Sequence, residues 1–95
     1  MLAAADHPVV AHGVTAYEPG VTRSVTEAAV AGLSVGVVAA LRAGMRVEVV
    51  DAGVAGGPVA GARAVRPVDP TGDLVHADGL SARDVDRLLD AGYQM

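Results

Sequence analysis

The chain has no cysteine, which removes disulfides, thiolate zinc sites and a cysteine nucleophile together. It also has no tryptophan and no phenylalanine, and Tyr17 and Tyr93 are its only aromatic residues. Large side chains carry most of the burial energy, roughly 1.5–3 kcal/mol each. A core built mainly from alanine and valine is therefore thin. Lysine is absent too. The seven basic residues are all arginines (Arg23, Arg42, Arg46, Arg63, Arg66, Arg83 and Arg87), scattered through a chain of net charge −4. There is no basic stripe and no aromatic platform, so nucleic-acid binding is not expected. The N-terminus lacks the charged-then-apolar pattern of a secretory signal. The longest uncharged run, Ala28 to Leu41, is shorter than a bilayer span. No membrane role is expected, and the expected compartment is the cytoplasm.

Ninety-five residues make one domain at most, and a domain of that size hides only about 60–70% of the surface of its unfolded chain. The 12 glycines and the many alanines suit helices packed closely on a sheet. Met1 to Ala5 reads as the last turn of a buried strand. Residues 6–21 read as loop, punctuated by Pro8, Gly13, Pro19 and Gly20. A helix is expected from Thr22, capped by Thr22 or Ser24, with Ser24-Val25-Thr26-Glu27 fitting a capping box. Val30, Leu33, Val37 and Leu41 share one face of that helix, and its other faces are small enough to be covered as well. Gly44 ends it as a left-handed cap. Arg46 to Asp51 is the strongest strand, followed by a Gly/Ala/Pro loop over 54–62 and a short edge strand over 64–68. A last helix runs from Ala82 to Ala91, capped by Ser81, stopped by Gly92, with Val85, Leu88 and Leu89 as its apolar face. Helix, glycine turn and β-branched strand form an α/β unit. The expected fold is α/β: a partial αβα layered parallel sheet with two main helices.

Asp6 to Thr22 carries the most chemistry. It places an acid, two histidines, a glycine, hydroxyls and a tyrosine between a strand and a helix, where α/β proteins hold ligands. Thr15 and Tyr17 stand two apart, a spacing that lets both face one pocket, although loop hydroxyls are often simple turn formers. Asp51-Ala52-Gly53 stands at the end of the main strand, the edge that faces the ligand crevice.

Other clusters have plainer readings. Asp6, His7 and His12 are plausible metal-ligand types, but third and fourth ligands are missing and His76 is distant in sequence. No metal is assigned, and Asp6 and His7 are read as ordering the loop or touching an organic ligand. Gly53-Val54-Ala55-Gly56-Gly57 comes after a strand but is not G-x-G-x-x-G, and Pro58 stands where a helix would begin, so it reads as a flexible connector. Thr71-Gly72-Asp73 reads as a turn. Arg63 and Arg66 read as solvated edge-strand residues rather than a phosphate clamp.

The loop and the remainder of the chain resemble the nicotinate-nucleotide–dimethylbenzimidazole phosphoribosyltransferases of cobalamin lower-ligand synthesis. The resemblance rests on Asp6-His7-Pro8-Val9, then Gly13-Val14-Thr15-Ala16-Tyr17, then Val21-Thr22. It continues in Val49-Val50-Asp51-Ala52-Gly53-Val54 and more loosely in Thr71-Gly72-Asp73 with Gly79-Leu80-Ser81. It covers nearly all of 1–95, read as a single segment like the N-terminal-to-middle part of that catalytic domain. It implies an αβα-layered transferase that moves phosphoribose from nicotinate mononucleotide to dimethylbenzimidazole, commonly as a homodimer and with no cofactor. It implies that Thr15 and Tyr17 line the pocket for the aromatic base, with Ser24 where the family often has glutamine. The family's phosphate-binding glycine motif and its general-base glutamate match no residue here. The expectation is thus a partial member, inactive alone, whose missing parts come from a complementary chain. The alternative is a non-catalytic module that binds benzimidazole-like or nucleotide ligands.

Overall fold

β-Branched residues at Val49 and Val50 favour extended backbone, and they form the central strand of the sheet. The computed structural model describes residues 1–95. Strand β1, Leu2–Ala4, and strand β2, Val49–Asp51, pair in parallel with Leu2 opposite Val49. Strand β3, Arg63–Ala64, pairs in parallel on the other side of β2, with Val50 opposite Arg63. The order is β1-β2-β3, so all three strands end at one edge. The sheet is the partial parallel layer expected for the α/β class. β1 is less buried than expected: it is an edge strand, and Leu2 is exposed.

The crossover from β1 to β2 begins with a 3₁₀ turn, Pro8–His12, closed by Gly13 in the left-handed region at φ 71. Helix α1, Val21–Val30, comes next. Its start falls one residue before the expected Thr22, and neither proposed cap forms. Ser24 already lies inside the helix, so its hydroxyl meets a carbonyl rather than a free amide. It donates to Gly20 O at 3.2 Å, as Thr26 donates to Thr22 O at 2.7 Å. Glu27, the acid of the expected capping box, pairs instead with Arg23 at 3.3 Å.

The single long helix is the larger correction. The stretch Val21–Arg42 is long and apolar enough, by length and composition, to cross a bilayer, yet it is two helices separated at 31–34. Gly32 takes φ 76, and Ser34 caps helix α2, Val35–Arg42, by accepting from Val37 N at 3.4 Å. The break dissolves the expected apolar stripe: Val37 is buried, but Leu33 is 77% and Leu41 56% exposed. Gly44 is left-handed at φ 74, as expected of a terminal glycine.

Helix α3, Ala82–Gln94, starts where Ser81 accepts from Asp84 N at 3.1 Å. It runs through Gly92 rather than stopping there. Its apolar face is not the buried one, since Val85 and Leu89 are exposed. Its anchor is Asp84, fully buried, which accepts from Val68 N at 3.0 Å and Asp69 N at 2.8 Å. The expected edge strand over 64–68 shrinks to Arg63–Ala64 because its partner β2 ends at Asp51, opposite Ala64.

The apolar core consists of Ala29, Val37, Val50, Val54 and Val59, with Thr26, Asp51 and Asp84 buried among or beside them. The molecule is a slab of 44 × 33 × 19 Å.

Candidate functional site

Because all three strands are parallel, the segments leaving them gather at one edge. They border a cavity of about 790 Å³ lined by Asp6 and His7 after β1, Ala52 and Gly53 after β2, and Arg66 and Pro67 after β3, together with Thr71 and Gly72. Its size falls in the range of small-molecule sites, roughly 300–1,000 Å³, which are mostly apolar with a few placed polar groups. The polar side chains here are Asp6, His7, Arg66, Asp69 and Thr71.

The hub beneath the cavity is Asp51, whose side chain is completely buried. One carboxylate oxygen accepts from Gly53 N at 3.0 Å and Val54 N at 2.8 Å, the other from Val59 N at 3.0 Å. Arg66 Nη1 donates to both oxygens at 2.8 and 2.6 Å, and its Nη2 donates to Val54 O at 2.8 Å. Burial pushes the Asp51 carboxyl up, but the amides of Val54, Gly53 and Val59, with Arg66, outweigh it and hold the pKa at about 2. Asp51 therefore orders the loop and does not reach the cavity surface.

Asp6 does both. Its backbone amide donates to Gly53 O at 3.1 Å, its carboxylate accepts from Ala55 N at 2.7 Å, and it lines the cavity. The glycine loop is pinned, not a flexible connector: Arg23 Nε donates to Ala55 O at 3.1 Å and its Nη2 to Gly57 O. His7 lines the cavity, exposed, and its side chain does not cap the 3₁₀ turn after it.

Thr15 and Tyr17 lie together, but in a smaller neighbouring cavity of about 190 Å³ that shares Asp6, Val10 and Pro19 with the larger one. Thr15 Oγ1 accepts from Tyr17 N at 3.2 Å, and the tyrosine is 74% exposed. Ser24 lines neither cavity, because its hydroxyl is turned onto its own helix.

Arg66, expected as a solvated edge-strand residue, is half-buried and bonded to Asp51 and to Val54 O, whereas Arg63 is exposed and pairs with Glu48 at 3.0 Å. The signal for Arg66 was its position just beyond an edge strand, on the same sheet edge as the acid ending β2. Sequence reading also treated 71–73 as a plain turn, although Thr71 and Gly72 line the cavity. And it left His12 and His76 apart, whereas their ring centroids lie 6.0 Å from each other with Asp73 between them. The paired histidines and two backbone amides hold the Asp73 carboxyl well below the usual carboxylate range, with His76 the largest cause. Asp69 is lowered by Ser81 and Arg83, and Asp84 by the amide of Val68 first.

A family model described as a phosphoribosyltransferase matches residues 1–95. CobT from Thermus thermophilus superposes with a TM-score of 0.82 at 37% identity, over 98% of this chain and 28% of that one. A nicotinate-nucleotide-dimethylbenzimidazole phosphoribosyltransferase from the same organism superposes with a TM-score of 0.82 at 36% identity, over 98% of this chain and 29% of that one. The chain thus spans less than a third of the length of the structures it resembles. No curated protein matches it.

Proposed function

The chain belongs to this phosphoribosyltransferase family, and from that premise we propose that it supplies the base-binding side of a site that transfers phosphoribose from nicotinate mononucleotide to dimethylbenzimidazole. The observation that carries the reading is the cavity of about 790 Å³ at the carboxyl edge of the parallel sheet, with the Thr15–Tyr17 recess beside it. A flat bicyclic base fits apolar walls and an aromatic face, and a hydroxyl or carboxylate at the rim can meet an azole nitrogen. Thr15 and Tyr17 are the proposed base contacts, with Asp6 and His7 at the junction of the two recesses. Ser24, turned onto its helix, is dropped from the set.

Within these 95 residues the polar groups of the cavity are largely engaged in holding its walls. Asp6 is bonded to the Ala55 amide and Arg66 to Asp51. General-base catalysis needs a free acceptor within about 2.6–3.2 Å of the proton it takes. The His7 side chain lines the cavity without a hydrogen-bond partner, but the general-base glutamate of the resembled family matches no residue here. The 95-residue segment is proposed as part of the N-terminal-to-middle region of the catalytic domain, cytoplasmic, and inactive by itself. Its proposed partners are the two small-molecule substrates and a complementary chain or second copy that covers the exposed apolar residues of α2 and α3.

Calorimetric titration of the chain with dimethylbenzimidazole tests the pocket, and product assay with both substrates tests the chemistry. Saturable 1:1 binding without α-ribazole phosphate formation is the expected result. Absence of binding refutes the pocket assignment, and product formed by the chain alone refutes its dependence on further residues.

A further inference from the structure

We propose that His12, Asp73 and His76 form a binding site for one divalent transition-metal ion of the zinc class. This site is separate from the base-binding reading and does not depend on it. His12 Nε2 lies 3.0 Å and His76 Nδ1 2.7 Å from the same oxygen, Asp73 Oδ2. The three donor atoms all lie within 4.8 Å of one another. Around a tetrahedral ion with bonds of about 2.0–2.2 Å, neighbouring donors stand roughly 3.3 Å apart. To admit it, His12 Nε2 needs to part from the oxygen by about 0.3 Å and His76 Nδ1 by about 0.6 Å.

The carboxylate is already oriented for that role. Asp73 Oδ1 accepts from Val75 N at 3.0 Å and His76 N at 2.7 Å, which fixes the plane of the group and leaves Oδ2 pointing at the imidazoles. A ligating carboxylate held through its other oxygen is the usual outer support of a metal site. The backbone that achieves this is unusual: Leu74, between Asp73 and the second histidine, is the only non-glycine residue at positive φ, 68°. Gly72 closes the base of the same loop, its amide donating to Gly79 O at 3.1 Å, where any Cβ would run into the Asp78 carbonyl. A strained residue points to a constraint worth explaining.

Two imidazoles and one carboxylate are borderline nitrogen and hard oxygen donors, the set that suits zinc, cobalt and nickel rather than calcium or magnesium. The ion would accept a lone pair from each of the three atoms. The protons that now bridge the nitrogens to Asp73 would move to the opposite ring nitrogens, His12 Nδ1 and His76 Nε2, or leave to solvent from a doubly protonated ring. Water would complete the coordination. The ion would also join two segments 61 residues apart in sequence, the end of the 3₁₀ turn and the 71–80 loop, both of which contribute residues to the lining of the large cavity. Its effect is a staple between these two segments of the cavity wall.

Cobalt(II) titration of the 95-residue chain, followed by visible absorption and then by zinc displacement, tests the site. Expected are one cobalt per chain and d–d bands that zinc abolishes. Affinity should fall by more than about tenfold in His12→Ala and in His76→Ala, the loss seen when even an outer partner of a metal ligand is removed. Zinc should raise the urea midpoint of the parent chain but not that of His76→Ala. Both rings are exposed, so these variants retain the fold, and circular dichroism checks it. Binding that survives in the His12→Ala/His76→Ala double variant overturns the proposal. So does binding removed by His7→Ala and not by His76→Ala, and so does the absence of saturable binding below millimolar metal.

Discussion

Replacing Asp51 by asparagine tests how the cavity floor is held. The carboxylate is completely buried and accepts three backbone amides and a guanidinium. Asparagine keeps one accepting oxygen and turns the other into a donor. With its oxygen kept toward Gly53 and Val54, its amide nitrogen faces Val59 N, a donor left with nothing to accept it, and Arg66 Nη1, which keeps only its 2.8 Å bond to the remaining oxygen. A buried donor left without a partner costs about 1–3 kcal/mol. Breaking a buried ion pair from one side costs about 3–5 kcal/mol, reduced here because the Arg66 side chain is 26% exposed and can regain water. The expected loss is about 3–4 kcal/mol, a large part of the ~5–15 kcal/mol that stabilises a typical domain. Urea unfolding followed by circular dichroism measures it, since no tryptophan is available as a reporter. The pH dependence gives a second reading. The folded pKa of Asp51, about 2, lies below its ordinary value of 3.8. The depressed carboxyl thus adds stability that is complete above pH 4 and is lost as pH falls toward 2, worth about 2 kcal/mol. An asparagine side chain cannot titrate, so Asp51→Asn should lack that share of the acid transition. Asp69, Asp73 and Asp84, also depressed, leave a remainder. A loss under about 1 kcal/mol with an unchanged acid profile would refute the reasoning.

Gly61→Ala should cost about 2–4 kcal/mol, because its Cβ would sit 2.5 Å from Val30 Cγ1 at φ 84, adding overpacking to backbone strain. Gly57→Ala, at φ 94 with nothing within 4 Å, should cost only about 1 kcal/mol; equal losses in urea melts would deny the Val30 contact. Tyr17→Ala should leave stability within about 0.5 kcal/mol but weaken dimethylbenzimidazole binding about 3–10-fold, read by calorimetry; unchanged affinity would remove the phenol from the base site. Ser24→Ala should leave that affinity unaltered, and a loss beyond about twofold would return Ser24 to the pocket.

The parallel sheet, the left-handed Gly44 and the Ser81 cap were legible because each is a local signal. A β-branched run, a terminal glycine and a hydroxyl three residues before an acid carry their own explanation. The break at Gly32 was harder to read, because a glycine within an apolar helical pattern is usually tolerated. What decided it was Ser34, a good cap shortly after a glycine free to adopt positive φ. The part of the cavity lining that comes from the strand ends was legible in outline. Asp6, His7, Ala52 and Gly53 stand at strand ends, and a parallel sheet brings strand ends together. Arg66 on Asp51, 15 residues apart, and His12 on Asp73, 61 apart, depend on loop paths that no periodicity encodes. The Arg66 carbonyl, which accepts from Arg87 at 3.5 Å, ties that path to α3 in turn.

Those loop paths also explain how a core of five small apolar residues holds a sheet. Alternate residues of a strand face opposite sides, so Val50 and Asp51 point to different faces of β2, and both are buried. A sheet in an α/β protein is normally sandwiched between helices, which at about 10 Å per layer would make three layers. The slab is 19 Å thick, room for about two. On the side of Asp51 the cover is the 53–59 loop, drawn down by its amides onto a carboxylate and closed with Val54 and Val59. Hydrogen bonds do there what helix packing does elsewhere. The same loop contributes Gly53 and Ala55 to the cavity lining, and Asp6, which lines both recesses and accepts from Ala55 N, links the ligand-facing surface to the groups that hold the fold together. A ligand that binds only this folded network raises its stability by RT ln(1 + [L]/Kd), about 2.7 kcal/mol at a hundredfold excess over Kd. For so thin a core, that gain is of the same order as the entire contribution of Asp51, so occupancy of the site and integrity of the fold rise and fall together.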